Sequence, residues 1–250
     1  MQIAVTPKTR LFSSDALLDD SDVWLTGDQA RYVSRALRLR IDDVIVMFDG
    51  RGGEYTAVIR EFAKDRVLVR VGNRRAREVE SRLTIQLVQG LSRGGRMDVV
   101  IQKATELGIQ RITPVITEFS VVKLDPEKSA KRRDHWLKVS QSACEQCGRN
   151  TLPEIDLPQG LEDWLARLGG DSASRIMLDT GSSESIATLP GPDEIVTLLV
   201  GPEGGFHDSE RRRCIELGFT AVSLGPRILR TETAAVAGIA VLQARWGDLV

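Results

Sequence analysis

The chain has 250 residues, 42% of them hydrophobic and 28% charged, a composition that suits one large soluble domain or two smaller ones. With 22 Gly and 9 Pro it is neither collagenous nor of low complexity, and 34 Lys+Arg against 35 Asp+Glu exclude a whole-molecule electrostatic grip on nucleic acid. The longest nearly uncharged apolar stretch, 233–242, is half of the ~20 residues that a membrane span needs, and residues 1–10 carry no apolar signal core, so a cytoplasmic protein without membrane attachment is expected.

In chain order, the pattern from Ile3 to Arg77 is one of short strands. Residues 41–48, 54–60 and 67–71 alternate or run apolar around a turn at 49–53, which predicts a small β-barrel or meander. Between them, 28–39 reads as a helix with Asp28 as cap. Ala30, Val33, Ala36 and Leu37 share its apolar face, and Arg31, Arg35 and Arg38 share another. Five acids and no base lie between Asp15 and Asp28, whereas Arg31, Arg35, Arg38 and Arg40 follow at once, and a second basic run extends from Arg60 to Arg77.

The nearly all-charged stretch 74–82 marks a domain boundary, giving domains 1–77 and 78–250. Beyond it, strands at 83–89, 112–116, 176–178, 195–200 and 221–224 alternate with helices at 97–107, 128–146, 209–217 and 231–246. That alternation predicts an α/β fold with a parallel sheet covered on both faces, whose ligands gather at the carboxyl ends of the strands.

The segment Gly201-Pro202-Glu203-Gly204-Gly205 follows the 195–200 strand directly. Its glycines allow a sharp turn and close backbone approach to a ligand, but it is neither a Walker loop nor a dinucleotide fingerprint. Read alone it is a strand-to-helix turn with Asp208 or Ser209 as the following cap. A second Gly-Pro loop, Leu224-Gly225-Pro226, continues through Leu229-Arg230-Thr231-Glu232-Thr233 into the last helix, where Thr231–Thr233 would cap an Ala-rich face. Loops at neighbouring strand ends point to one shared site. Cys144-x-x-Cys147 has a metal or redox spacing, but Cys214, His135 and His207 are too scattered to complete a zinc set, so a helix stopped at Gly148 and reduced thiols are the better account. Lys103 and Glu106 read as a solvated i,i+3 pair.

The segments QKATELG (102–108), ACEQCGRN (143–150), GPEGG (201–205) and LGPRILRTETA (224–234), with RALRLR (35–40) and FDG (48–50), resemble the small-subunit ribosomal RNA uracil-N3 methyltransferase family. The resemblance covers most of the chain and weakens between 153 and 192. It implies a SPOUT-type parallel sheet with a C-terminal deep trefoil knot, preceded by a PUA-like β-barrel. Knots are essentially absent from other folds, and no periodicity reveals one. It further implies S-adenosylmethionine as cofactor, a homodimer, no metal, and methylation of N3 of one uridine in the decoding region of 16S rRNA within the small ribosomal subunit.

Carried onto these residues, the resemblance places Leu178, Gly201, Pro202, Glu203, Gly204, Gly205, Leu224, Gly225, Leu229 and Thr231 around the cofactor. Uracil N3 must lose a proton as it takes the methyl group, so a base and a cation are needed; Glu232 and Arg230 are the candidates. Arg10, Arg31, Arg35, Arg38, Arg40 and Arg66 form the expected RNA surface. A non-catalytic RNA-binding assembly factor is the alternative, and it predicts no cofactor binding.

Overall fold

A computed structural model describes residues 7–120, 125–169, 173–192 and 195–249; the start of the first pattern at Ile3 lies outside them. The chain divides into two compact units, Met1–Glu80 with Cys144–Leu152, and Ser81–Ala143 with Pro153–Val250.

The first unit is a curled five-stranded sheet in the order β1-β3-β4-β5-β2, built from Arg10–Phe12, Asp22–Thr26, Val44–Phe48, Glu54–Phe62 and Arg66–Arg75 numbered in chain order. β1 pairs with β3 in parallel and the other pairs are antiparallel. Register shifts between Tyr55 and Ala57 and between Ile59 and Glu61 bend the central hairpin, which curls the sheet without a hydrogen-bonded closure among the described strands. Its core is Leu11, Leu25, Val33, Ile45, Met47, Ile59 and Val69.

The predicted 28–39 helix is shorter and different. α1 spans Gly27–Arg31, with Thr26 rather than Asp28 at the N-cap, and passes into a π-helical turn at Tyr32–Ala36. The wider turn keeps Ala30 and Val33 buried but leaves Ala36 exposed, contrary to an ideal helical face, and the segment ends at Arg38 with φ 51°.

The second unit is a parallel sheet in the order β12-β10-β11-β6-β7-β8, with β9 also on β7. Its strands are β6 Thr84–Gly90, β7 Arg111–Ile116, β8 Glu154–Ile155, β9 Gln159–Gly160, β10 Ser174–Leu178, β11 Ile195–Val200 and β12 Thr220–Val222. The helices are α2 Arg96–Glu106, α3 Pro126–Cys147, α4 Leu161–Leu165, α5 Asp208–Glu216 and α6 Thr231–Trp246. Because successive residues of a strand face opposite ways, Ile85 and Leu87 of β6 pack with Met97, Ile101 and Ile239 on one face, while Val88 packs with Leu161, Leu165 and Cys214 on the other. The sheet is thus covered on both faces, and its strand ends present loops along one edge.

Candidate cofactor and RNA site

Three of those loops meet. The segments after β10, β11 and β12 enclose a cavity of about 610 Å³ lined by Leu178 and Asp179, by Val200–Phe206, and by Leu224, Gly225 and Arg227–Glu232. Leu178, Gly201, Pro202, Glu203, Gly204, Gly205, Leu224, Gly225, Leu229, Arg230, Thr231 and Glu232, singled out from the sequence, all line it.

The close approach is built from glycine. A Cβ on Gly90, at the end of β6, would lie 2.4 Å from the Pro202 nitrogen, so the strand end must be bare for the loop to seat. Gly205 and Gly225 hold φ of 71° and 97°, which L side chains rarely adopt.

Thr231 does not cap α6; Arg230 occupies the N-cap position without a side-chain cap bond. Instead the Thr231 hydroxyl donates to the Gly201 carbonyl at 2.6 Å and accepts from Nε2 of the fully buried Gln89 at 2.9 Å, tying the two Gly-Pro loops to the end of β6. The cap of α5 is also neither Asp208 nor Ser209. His207 accepts from the Ser209 amide, and Glu210 takes the His207 N–H in return.

Charge sits at the rim. Burial pushes the Asp179 carboxyl up, but bonds from the Arg211 guanidinium and the Gly181 N–H outweigh it and hold the group below the usual carboxylate range. Arg96, at the start of α2, donates to Glu203 at 2.5 Å and lies 3.8 Å from Glu232 Oε2, a buried oxygen with no hydrogen-bond partner. Arg230 is exposed. The strand-end position of the Met177–Thr180 segment pointed to Asp179, whereas Arg96, Gln89 and Arg211 escaped the sequence because they depend on contacts across the sheet edge.

This cavity suits an amphipathic ligand of nucleoside size. Apolar Leu178, Val200, Phe206, Leu224 and Leu229 wall it, acidic and basic groups share its rim, and its volume lies in the range of cofactor pockets. Among the described residues there is no cluster of His, Cys, Asp and Glu fit to hold a metal. Burial pushes the Cys144 and Cys214 thiols up to about 12, so both are protonated at neutral pH. Lys103 and Glu106 form the expected partly exposed pair at 2.8 Å.

In the first unit, Arg31, Arg35, Arg38 and Arg40 are exposed; Arg31 pairs with Asp28, and Arg35 and Arg38 make no side-chain bond among the described residues. Arg66 stacks over Trp24 at 3.9 Å. Arg10 differs from this group. Its guanidinium bonds Glu54 and donates to Asn150 Oδ1 at 2.7 Å and the Arg149 carbonyl at 3.2 Å, which engages it inside the unit. Of the basic run that follows, Arg60 and Arg70 pair with Asp42 and Asp22, and Arg77 with Glu54.

The 143–150 motif is explained by the same network. α3 ends at Cys147, Gly148 turns the chain at φ 89°, and the buried Arg149 binds Glu80 at 2.6 Å.

Residues 79–243 match the RNA methyltransferase domain family and residues 25–72 the RNA methyltransferase PUA domain family. The chain is 32% identical over 242 residues to ribosomal RNA small subunit methyltransferase E of Buchnera aphidicola, covering 96% of this chain and 94% of that protein. Ribosomal RNA small subunit methyltransferase E of Neisseria gonorrhoeae, solved bound to S-adenosylmethionine, superposes with a TM-score of 0.89 at 35% identity, over 97% of this chain and 99% of the other. A Legionella pneumophila protein crystallised with the same cofactor gives 0.92 at 38% identity, over 98% and 100%.

Proposed function

The chain belongs to the ribosomal RNA small subunit methyltransferase E family, and from that premise we propose that it methylates N3 of one uridine in the decoding region of 16S rRNA, within the small ribosomal subunit, using S-adenosylmethionine. The observation that carries the reading is the convergence of three strand-end loops on one cavity whose wall holds a carboxylate oxygen without a hydrogen-bond partner.

When bound, the cofactor supplies an activated methyl group, so the protein's own part is positioning and proton handling. Leu178, Gly201, Leu224 and Leu229 would hold it, with Thr231 and Gln89 fixing the Gly201 carbonyl and Pro202–Gly205 forming the turn. Glu232 accepts the N3 proton, and the exposed Arg230 offsets charge that develops on the uracil oxygens.

The reading includes the trefoil knot through these loops and a homodimer. The parallel order β12-β10-β11 supports the first, and the half-exposed small face of α6, with Val236, Ala237, Ala240 and Ala244, supports the second. Arg31, Arg35, Arg38, Arg40 and Arg66 engage RNA phosphates, while Arg10 serves the fold of its own unit.

Methyl transfer from labelled S-adenosylmethionine to small subunits from cells lacking this protein, with mapping of the modified nucleoside, tests the reading. N3-methyluridine at a single decoding-region site is expected; cofactor binding without transfer would send the search to another RNA. Glu232→Gln should lower the turnover rate about 100-fold or more while leaving cofactor affinity within about twofold.

A further inference from the structure

Beside the cofactor cavity lies a second, shallow hollow of about 440 Å³, lined by Arg93, Gly94, Gly95, Arg96, Val99 and Glu232. Arg96 and Glu232 line both spaces, so this pair is the partition between them. Their separation of 3.8 Å is too long for a hydrogen bond. A Cβ at Gly94 or Gly95 would meet nothing within 4 Å, so the floor of the hollow is bare backbone. The Arg93 side chain is exposed and makes no ion pair among the described residues, while its backbone N–H is held by Glu203 at 3.2 Å.

A methyl acceptor must reach the cofactor from a side open to solvent, past groups able to take a proton and to balance an oxyanion. We infer that this hollow seats the target uridine, with Arg96 the cation on a uracil carbonyl oxygen and Arg93 a contact for the flanking phosphate. The inference rests on the function proposed above and adds the residues that receive the base. The uracil N3–H is weakly acidic and flanked by two carbonyls. Its proton passes to Glu232, the N3 electron pair forms the new N–CH3 bond, the sulfonium S–CH3 bond breaks, and its electron pair stays on the thioether. Charge that gathers on the carbonyl oxygen in that interval faces the guanidinium of Arg96, which is released toward it from Glu203 or bridges the two.

The test uses the full-length protein with purified small subunits. Arg96→Gln should slow single-turnover transfer about 100-fold at pH 7 and leave a rate that keeps climbing with pH beyond the wild-type plateau, because the uracil anion then forms without the cation beside Glu232, with only the exposed Arg230 left to offset its charge. Arg96→Lys should restore much of the rate and the plateau. Arg93→Gln should weaken binding of unmethylated subunits several-fold, read by filter retention of labelled subunits, with cofactor affinity unchanged. A wild-type pH profile in Arg96→Gln overturns the inference, as does a parallel loss of cofactor affinity, which would reduce Arg96 to a brace for the Glu203 loop. Failure of the wild-type enzyme to produce N3-methyluridine would instead overturn the underlying reading.

Discussion

Single atoms decide whether the loop at 201–205 can form. The 2.4 Å approach of a Gly90 Cβ to the Pro202 nitrogen, and 2.8 Å to the Gly201 carbon, sets backbone against backbone, which no rotamer change relieves. Gly90→Ala is therefore expected to cost at least tenfold in S-adenosylmethionine affinity by calorimetry, and unchanged affinity would show that the loop has another seat. Away from the site, Asp156 illustrates how charge is held. Burial raises its carboxyl, but the bidentate Arg111 guanidinium and the Thr113 hydroxyl outweigh this and hold it below the usual range. A depressed folded pKa contributes stability above the unfolded value of about 3.9, lost as pH falls through the folded one. Asp156→Asn should thus destabilise by about 1–2 kcal/mol at pH 7. Melts repeated at acid pH should show the two proteins converging; a gap that persists there would assign the loss to packing.

Elements with a clean period were legible, and those set by tertiary contact were not. α6 begins and ends at the residues read from the sequence because its apolar run is long, whereas the two-residue strands β8 and β9 and the strand β1 exist only through pairing with neighbours. The arginine-bearing segment shows how period misleads. Ideal helical spacing assigned Ala36 to the core, and one π turn rotated it into solvent. That segment closes on Arg38 in the left-handed region at φ 51°, a conformation that costs a non-glycine residue about 1 kcal/mol. An arginine retained under that strain fits a surface role. Arg38→Gly should leave the melting midpoint unchanged or higher while weakening subunit binding, and a fall in both would place Arg38 in the fold instead.

The first break between the two units falls at Glu80, inside the charged stretch, but the division does not end there. The charged stretch at 74–82 indicated a boundary, yet the first unit also takes in Cys144–Leu152, far along the sequence. Arg10 meets Asn150 and Arg149 meets Glu80 across 140 and 69 positions, contacts that no local pattern encodes. The motif at 143–150, whose cysteines suggested metal or redox chemistry, contributes through Arg149 and Asn150. The Asn150 amide donates to the Arg77 carbonyl, and its oxygen accepts from Arg10. Removing such partners leaves buried charge uncompensated, at a cost of about 3–5 kcal/mol per broken pair. That is a large part of the stability of a small domain. A fragment of residues 1–80 is therefore expected to melt without cooperativity, although it contains every strand of its sheet. In the full-length chain, Arg149→Met should lower the midpoint without reducing S-adenosylmethionine affinity below the melting range, because no residue of that network lines the strand-end cavity proposed to hold the cofactor. A cooperative melt of the fragment near the full-length midpoint would show that the five strands suffice, and that the 144–152 segment adds little to their stability.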